Sequence, residues 1–558
     1  MPVLRAFFFF VLFIGNQYPA AETPSAAAVV SAHPLATAAG EKIIKQGGNA
    51  FDAAVAVTAA LAVVEPYSSG LGGGGFWLLY SAADAKQIMI DGRETAPALA
   101  HRRMYQDDAG NVRQGASING PLAAAIPGIP AGLVYLAKHY GRLPLAKSLD
   151  PAIRYARDGF RVSARYQNRV SSRLEVLRRY PDAAAIFLID DHIPMIGDRI
   201  VQKDLAATLK QIATDGGVGF YRGELAGQMV RQVNKHGGIW SMQDLADYKV
   251  RERQPIITHY RSVKVISAAP PSSGGIVLAQ MLALLGHFDL ASLDSVYRKH
   301  LIIEAMRRAY RDRAVYLGDP DFVEVPVQRL LNSDYLDGLA LTIDLDRATP
   351  SSELGDTPGL DQAGAQTTHF SVMDREGNRV AATLSINLAF GSCFVPAGTG
   401  ILLNDEMDDF SSKPNTPNAY GLVGGEANAI QPGKRPLSSM TPTFLESEDR
   451  VALLGTPGGS RIISMVLLAT LDFMVGHLPD SWVSLPRYHH QYLPDVVQFE
   501  PFGLTYKEQT GLRALGHKLR ELERRYGNMQ AVMWDKKANK VYASSDPRGE
   551  GTAKVFAR

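Results

Sequence analysis

A chain of 558 residues with one cysteine, Cys393, cannot close an internal disulfide, so its fold must be held by packing alone. The constraint bites because the chain opens like an exported one, and exported proteins commonly use disulfides. Arg5 supplies a positive charge, residues 6–14 are an apolar run, and the small residues Pro19, Ala20 and Ala21 follow, which predicts a secretory signal peptide over residues 1–21. That run is shorter than the roughly 20 apolar residues a bilayer span needs, and no later segment is long and uncharged enough to make one. The expected location is therefore the periplasm if the source is a Gram-negative bacterium, and the exterior otherwise. With 46% apolar and 20% charged residues, the composition is that of an ordinary globular protein with ample core. The formal net charge is only +2, and Lys and Arg are scattered without interleaved aromatics, which argues against a nucleic-acid partner and leaves small neutral or zwitterionic substrates open.

Apolar residues recur at helical spacing over 36–45 and 53–64, with Gly47-Gly48 between them as a stop signal, so two paired helices are expected. Strands are expected at 76–80 and 88–90, the second leading into Asp91-Gly92-Arg93. The middle third reads as mostly helical, with a capping box starting at Ser241. From 347 to 366 periodicity gives way to Pro, Gly, Ser, Thr, Asp and Ala, the composition of an exposed loop. It stops at Thr367. Residues 367–373 and 379–387 then alternate as strands around a turn at 374–378, predicting a hairpin that brings Ser385 and Asn387 back beside Thr367, on one face by the two-residue period.

Several motifs bear on chemistry. Gly70-Leu71-Gly72-Gly73-Gly74-Gly75 matches a dinucleotide-binding glycine pattern, but a helix precedes it and a strand follows, the reverse of the order a pyrophosphate site needs; a tight turn against a neighbouring strand is the preferred reading. A threonine hydroxyl such as that of Thr367 is a poor nucleophile without a base. The α-amine of the same residue titrates near ~7.7–8.0 and can serve, and scission between Gln366 and Thr367 would create both groups together. Gly458 and Gly459 precede Ser460, a plausible N-cap for a helix over 462–474, and free N–H groups at such a start can hold a developing oxyanion.

With Asp52 to Ala56, Ser69 to Gly75, Thr367 to Ser371, Met407 to Ser411, Arg435 to Met440 and Pro457 to Ile462 in this order, the sequence resembles the γ-glutamyltranspeptidases from about His33 to the Ser545-Asp546-Pro547-Arg548 stretch. The resemblance implies an α+β fold, the N-terminal-nucleophile hydrolase αββα four-layer sandwich. It also implies one precursor split by itself into a large subunit, 22–366, and a small subunit, 367–558, which stay together as a heterodimer. Thr367 matches the nucleophile. Ser385 stands where the family usually has a threonine that hydrogen-bonds it. Asn387, Glu406 and Asp409 match the positions that bind the substrate α-ammonium; Arg93, Ser438 and Ser439 those that hold its α-carboxylate; Gly458 and Gly459 the oxyanion hole. Residues 414–425, with Tyr420, match a lid loop. His489-His490 is a family landmark read as structural, and neither a metal nor a cofactor is implied. Gln366 replaces the more usual asparagine before the cut, and the segment 385–391 is poorer in hydroxyls than usual.

The residue types suit the chemistry. A glutamyl end presents one ammonium and one carboxylate, so carboxylates and an amide should face the first and an arginine and hydroxyls the second, leaving the γ-carbonyl to reach Thr367. The expected activity is transfer of the γ-glutamyl group of glutathione or related compounds to water, amino acids or peptides through a glutamyl-Thr367 ester. Two other readings stand beside it. One is a β-lactam side-chain (glutaryl) acylase or poly-γ-glutamate hydrolase on the same fold; the other is an exported binding protein that never matures.

Overall fold

The structure is a computed structural model that describes residues 23–355, 367–413 and 416–557. The expected leader, Gln366 and the first residue of the lid segment, Pro414, lie outside the described residues. The expected paired helices form as Pro34–Lys45 (α1) and Ala50–Val64 (α2). Asn49 caps α2 with a full capping box to Asp52, three residues earlier than hydrophobic spacing alone suggests. Every residue of α2 is buried, so it carries no polar stripe and its apolar period marks no edge. Ser241 starts the short helix Met242–Asp247 through the predicted box with Asp244.

Thirteen strands make two antiparallel sheets. They are β1 (Ala27–Ser31), β2 (Gly74–Ser81), β3 (Lys86–Gly92), β4 (Arg251–Arg253), β5 (Ile256–Tyr260), β6 (Val263–Ser267), β7 (Thr368–Met373), β8 (Arg379–Ser385), β9 (Thr443–Glu446), β10 (Arg450–Gly455), β11 (Gln530–Asp535), β12 (Lys540–Ser545) and β13 (Thr552–Phe556). The first sheet runs β13-β1-β7-β8-β2-β3-β4 and the second β12-β11-β10-β9-β6-β5.

Strand alternation explains the layering. On β7, β8, β2 and β3, Phe370, Val372, Val380, Ala382, Trp77, Leu79, Ile88 and Ile90 face a core shared with α1 and α2. Phe76, Leu78, Met89, Met373 and Ala381 face the opposite way, into a core shared with the second sheet. That second core continues across the second sheet to the helices Gly274–Gly286 (α3), Ser295–Tyr316 (α4) and Ile462–Met474 (α5). The order helix, sheet, sheet, helix is the four-layer αββα sandwich, and its two cores are apolar clusters with buried polar groups among them. Among these is His369, whose ring bonds Thr383 Oγ1 at 2.8 Å and fills the space left by Gly455. No helix among the described residues is long and apolar enough to cross a membrane.

Candidate active site

The hairpin β7/β8 sets the site. Leu384 pairs with Thr368, so Thr367 comes opposite Ser385, the last residue of β8. Other strand ends converge on the same edge: Arg93 follows β3 directly, Ser438 and Ser439 lead into β9, and Gly458 and Gly459 follow β10. A cavity of about 290 Å³ is lined there by Arg93, Thr367, Ser385, Asn387, Asp409, Tyr420, Ser438, Ser439 and Gly459, together with Leu422 and other neighbours. Nine of the sequence-predicted residues are thus brought together on one cavity. Glu406 lies behind it, with its carboxylate 2.6 Å from Arg93 Nη1, and Gly458 stands one residue behind Gly459.

Two local expectations change. Asn387 does not continue β8; its φ is +72°, its backbone N–H donates to Ser385 Oγ at 2.8 Å, and its side-chain amide donates to the Asp405 carbonyl at 2.9 Å. It reaches the cavity from a turn rather than from the same strand face as Ser385. Ser460 is not an N-cap, because a 3-10 turn, Gly459–Arg461, intervenes and α5 begins at Ile462 without a side-chain cap. The oxyanion-binding potential rests on the glycines instead. Gly458 has φ +153° and Gly459 φ +56°, and neither N–H finds an acceptor among the described residues. The glycine run behaves as the preferred reading held: a Cβ on Gly73 would sit 2.2 Å from the Ser385 carbonyl oxygen, so only glycine lets β2 close on the end of β8.

Electrostatically the cavity has two poles. At one, Arg93 is buried and its Nη2 donates to Asp409 Oδ2 at 2.6 Å, while Nη1 faces Glu406 and, at 3.4 Å, Glu94. Burial works against the Arg93 cation, but Glu406, Glu94 and Asp409 outweigh it and raise its pKa. Burial likewise raises Glu406 and Glu94, so one guanidinium is shared by more carboxylate than it can neutralise. A ligand ammonium fits that surplus. At the other pole each serine accepts one bond: Ser438 Oγ from the Met440 N–H at 3.1 Å and Ser439 Oγ from Arg313 Nη2 at 3.0 Å. Neither hydroxyl donates to any acceptor among the described residues, which leaves a pair of O–H donors for a carboxylate.

Tyr420, in the segment expected to be a lid, covers the Gly458-Gly459 turn. Its hydroxyl donates to the Asn387 carbonyl at 2.9 Å, and its ring occupies the space a Cβ on Gly459 would need. Residues that sequence reasoning missed hold it there. Asp408 accepts from Ser117 Oγ at 2.7 Å and from the Ala419 N–H at 2.9 Å, and Asn418 Nδ2 donates to Asp409 Oδ1 at 3.2 Å. His489 bonds Ser464 and Gln491, and His490 bonds Asp495, in buried settings that lower both imidazole pKa values. One group among the described residues, His300, Glu304 and His517, has ligand-type atoms near enough to share an ion. It is closed on itself: His300 Nδ1 and His517 Nε2 are hydrogen-bonded at 2.8 Å, and Glu304 is paired with Arg307 and Arg308.

Residues 36–556 match the family model described as gamma-glutamyltranspeptidase. The chain belongs to the γ-glutamyltranspeptidase family. It is 43% identical to the glutathione hydrolase proenzyme of Escherichia coli (strain K12), over 93% of this chain and 90% of that one. It is 37% identical to the acylase ACY 1 proenzyme of Pseudomonas sp. (strain SE83), over 91% and 89% of the two chains. Among solved structures, the cephalosporin acylase from Bacillus halodurans superposes with a TM-score of 0.84 at 29% identity, covering 98% of this chain and 99% of that one. The four-layer sandwich is thus the family's N-terminal-nucleophile hydrolase fold, and the family is one of enzymes made as proenzymes.

Proposed function

We propose that this protein is an exported γ-glutamyltransferase and glutathione hydrolase that cleaves itself between Gln366 and Thr367. Residues 1–21 are removed as a leader, and 22–366 and 367–558 remain together as large and small subunits of one catalytic fold. The observation that carries the reading is the cavity at Thr367, with surplus carboxylate at one pole and free serine hydroxyls at the other.

In the precursor the Thr367 hydroxyl attacks the Gln366 carbonyl, the peptide bond becomes an ester, and water releases the new N-terminus. In the mature enzyme the Thr367 α-amine takes the proton of the Thr367 hydroxyl as its oxygen attacks the γ-carbonyl of the donor. Gly458 and Gly459 N–H groups receive the oxyanion, and Ser385 steadies the nucleophile. Collapse breaks the amide C–N bond, the leaving amine takes the proton, and a glutamyl-Thr367 ester remains. Water then gives glutamate; the amine of an amino acid or peptide gives a new γ-glutamyl compound. Asp409, Glu406 and Asn387 receive the donor ammonium, and Ser438 and Ser439 its carboxylate, with Arg93 reaching the same cavity from the carboxylate-rich pole. No cofactor enters the scheme.

The acylase relatives keep a second donor class in view, since a glutaryl amide has the same carbon chain without the α-ammonium. The carboxylate surplus around Arg93 favours the glutamyl donor. Purified protein is expected to release cysteinylglycine from glutathione and to turn over a glutaryl-linked amide at least about tenfold less efficiently, the discrimination a site built for a charged group provides. Equal or better turnover of the glutaryl amide would make the acylase reading the right one.

A further inference from the structure

Arg313, on α4, is nearly as deeply buried as Arg93 of the cavity wall, yet no carboxylate pairs with it among the described residues, Asp409 acting on it only at longer range. The other arginines buried to this depth, Arg93, Arg307, Arg308, Arg435 and Arg487, each have one: Glu406, Asp495, Glu304, Asp91 and Asp546 respectively. Among the described residues the Arg313 guanidinium is held by two hydroxyls. Nε donates to Ser273 Oγ and Nη2 to Ser439 Oγ, both at 3.0 Å. Ser273 in turn donates through Oγ and N–H to the Ser438 carbonyl, at 2.7 and 2.8 Å, so one arginine organises both serines of the carboxylate pole. A second cavity of about 250 Å³ reaches it, bounded also by Asp409 and Leu422, which line the first.

A buried cation without a counter-ion is costly to keep in a fold, so an anion that arrives in function would relieve it. The positions of Ser439 and Arg93 say which anion. Arg93 is already oversupplied with carboxylates, whereas the nearest group on the cavity side of Arg313 is a serine hydroxyl whose proton points to no protein acceptor. We propose that Arg313 is the uncompensated charge for the donor α-carboxylate, acting through Ser439 as a positioning residue: it fixes the Ser439 oxygen by one lone pair, aims the O–H at the carboxylate, and supplies the positive field behind it. The proposal rests on the γ-glutamyl reading of the cavity and adds a second cation to the one that resemblance supplies.

The test compares two donors, a γ-glutamyl anilide and the same anilide with its α-carboxylate converted to a carboxamide, on wild-type protein, Arg313→Met, Arg313→Gln and Arg313→Lys. The processed fraction of each is read on a denaturing gel. The wild type is expected to prefer the carboxylate donor in kcat/KM. In Met and Gln variants that preference falls by at least about tenfold, carried by KM, while Lys restores part of it. Gln keeps hydrogen bonds to the serines without the charge, so its loss isolates the field. An unchanged preference in the Met or Gln variant overturns the proposal, as does equal loss on both donors or failure of all three variants to mature, since each makes Arg313 a purely structural group. Absence of turnover of the γ-glutamyl anilide by the wild type would instead sink the function proposed above.

Discussion

Asp409 joins three parts of the site at once: Oδ2 accepts from Arg93, Oδ1 from Asn418 of the lid, and its backbone carbonyl from Asn428 Nδ2. Replacing it by Ala removes the carboxylate nearest the cavity while Glu406 and Glu94 still pair Arg93, so the fold is expected to survive. The expected outcome for Asp409→Ala is a rise in KM for a γ-glutamyl anilide of about 10- to 100-fold, the worth of one charge-assisted contact, with a smaller fall in kcat. Unchanged KM in steady-state kinetics would remove Asp409 from the ammonium pole. Residues such as Asp409, Thr367 and Ser438 were legible in the sequence because each lies in a contiguous motif. Arg313 was not. It is one of five arginines in 22 residues of α4, and only the tertiary structure separates it from the others by burying it without a counter-ion.

At the level of elements, periodicity located strands and helices well and their ends less well. Alternation carried β8 to Asn387, but the chain leaves the strand after Ser385 because Asn387 adopts a left-handed conformation and its amide is drawn to the Asp405 carbonyl. No two-residue pattern records such a departure. Similarly, a serine before an apolar helix reads as a cap, whereas the left-handed Gly459 turns the chain through a 3-10 turn first and leaves its own N–H unclaimed. That turn and the lid are one unit, since a Cβ on Gly459 would meet the Tyr420 ring at 2.7 Å. Gly459→Ala keeps the backbone N–H but should displace Tyr420, strain a left-handed residue by about 1–2 kcal/mol and turn that N–H off the oxyanion, lowering kcat by up to about 10²–10³-fold, the range for loss of an oxyanion donor. Near wild-type kcat in this variant, with maturation intact on a gel, would show that the turn does not serve the oxyanion.

For the molecule as a whole, the elements were readable from hydrophobic spacing, but the stacking of one sheet on the other came from family resemblance, because alternation says that both faces of β7 and β8 are apolar without saying what covers them. A single free cysteine leaves stability to packing and to buried ion pairs. Glu304, within α4, is held down at about 2 by Arg307 and Arg308 despite burial, which alone would raise it. Because its folded pKa lies below the ordinary 4.5, the stability it contributes is present above pH 4.5 and lost as pH falls toward 2. Acid titration of the unfolding midpoint should show this loss, on the order of 3 kcal/mol, in the wild type and not in Glu304→Gln; an identical acid limb in both would refute the assignment. The central claim is that nucleophile and base belong to one residue, and N-terminal sequencing of purified protein that degrades glutathione tests it most directly. Two chains are expected, one starting Thr-Thr-His-Phe-Ser from Thr367, with Thr367→Ala remaining a single inactive chain; glutathione turnover by protein whose 366–367 bond is intact would contradict it.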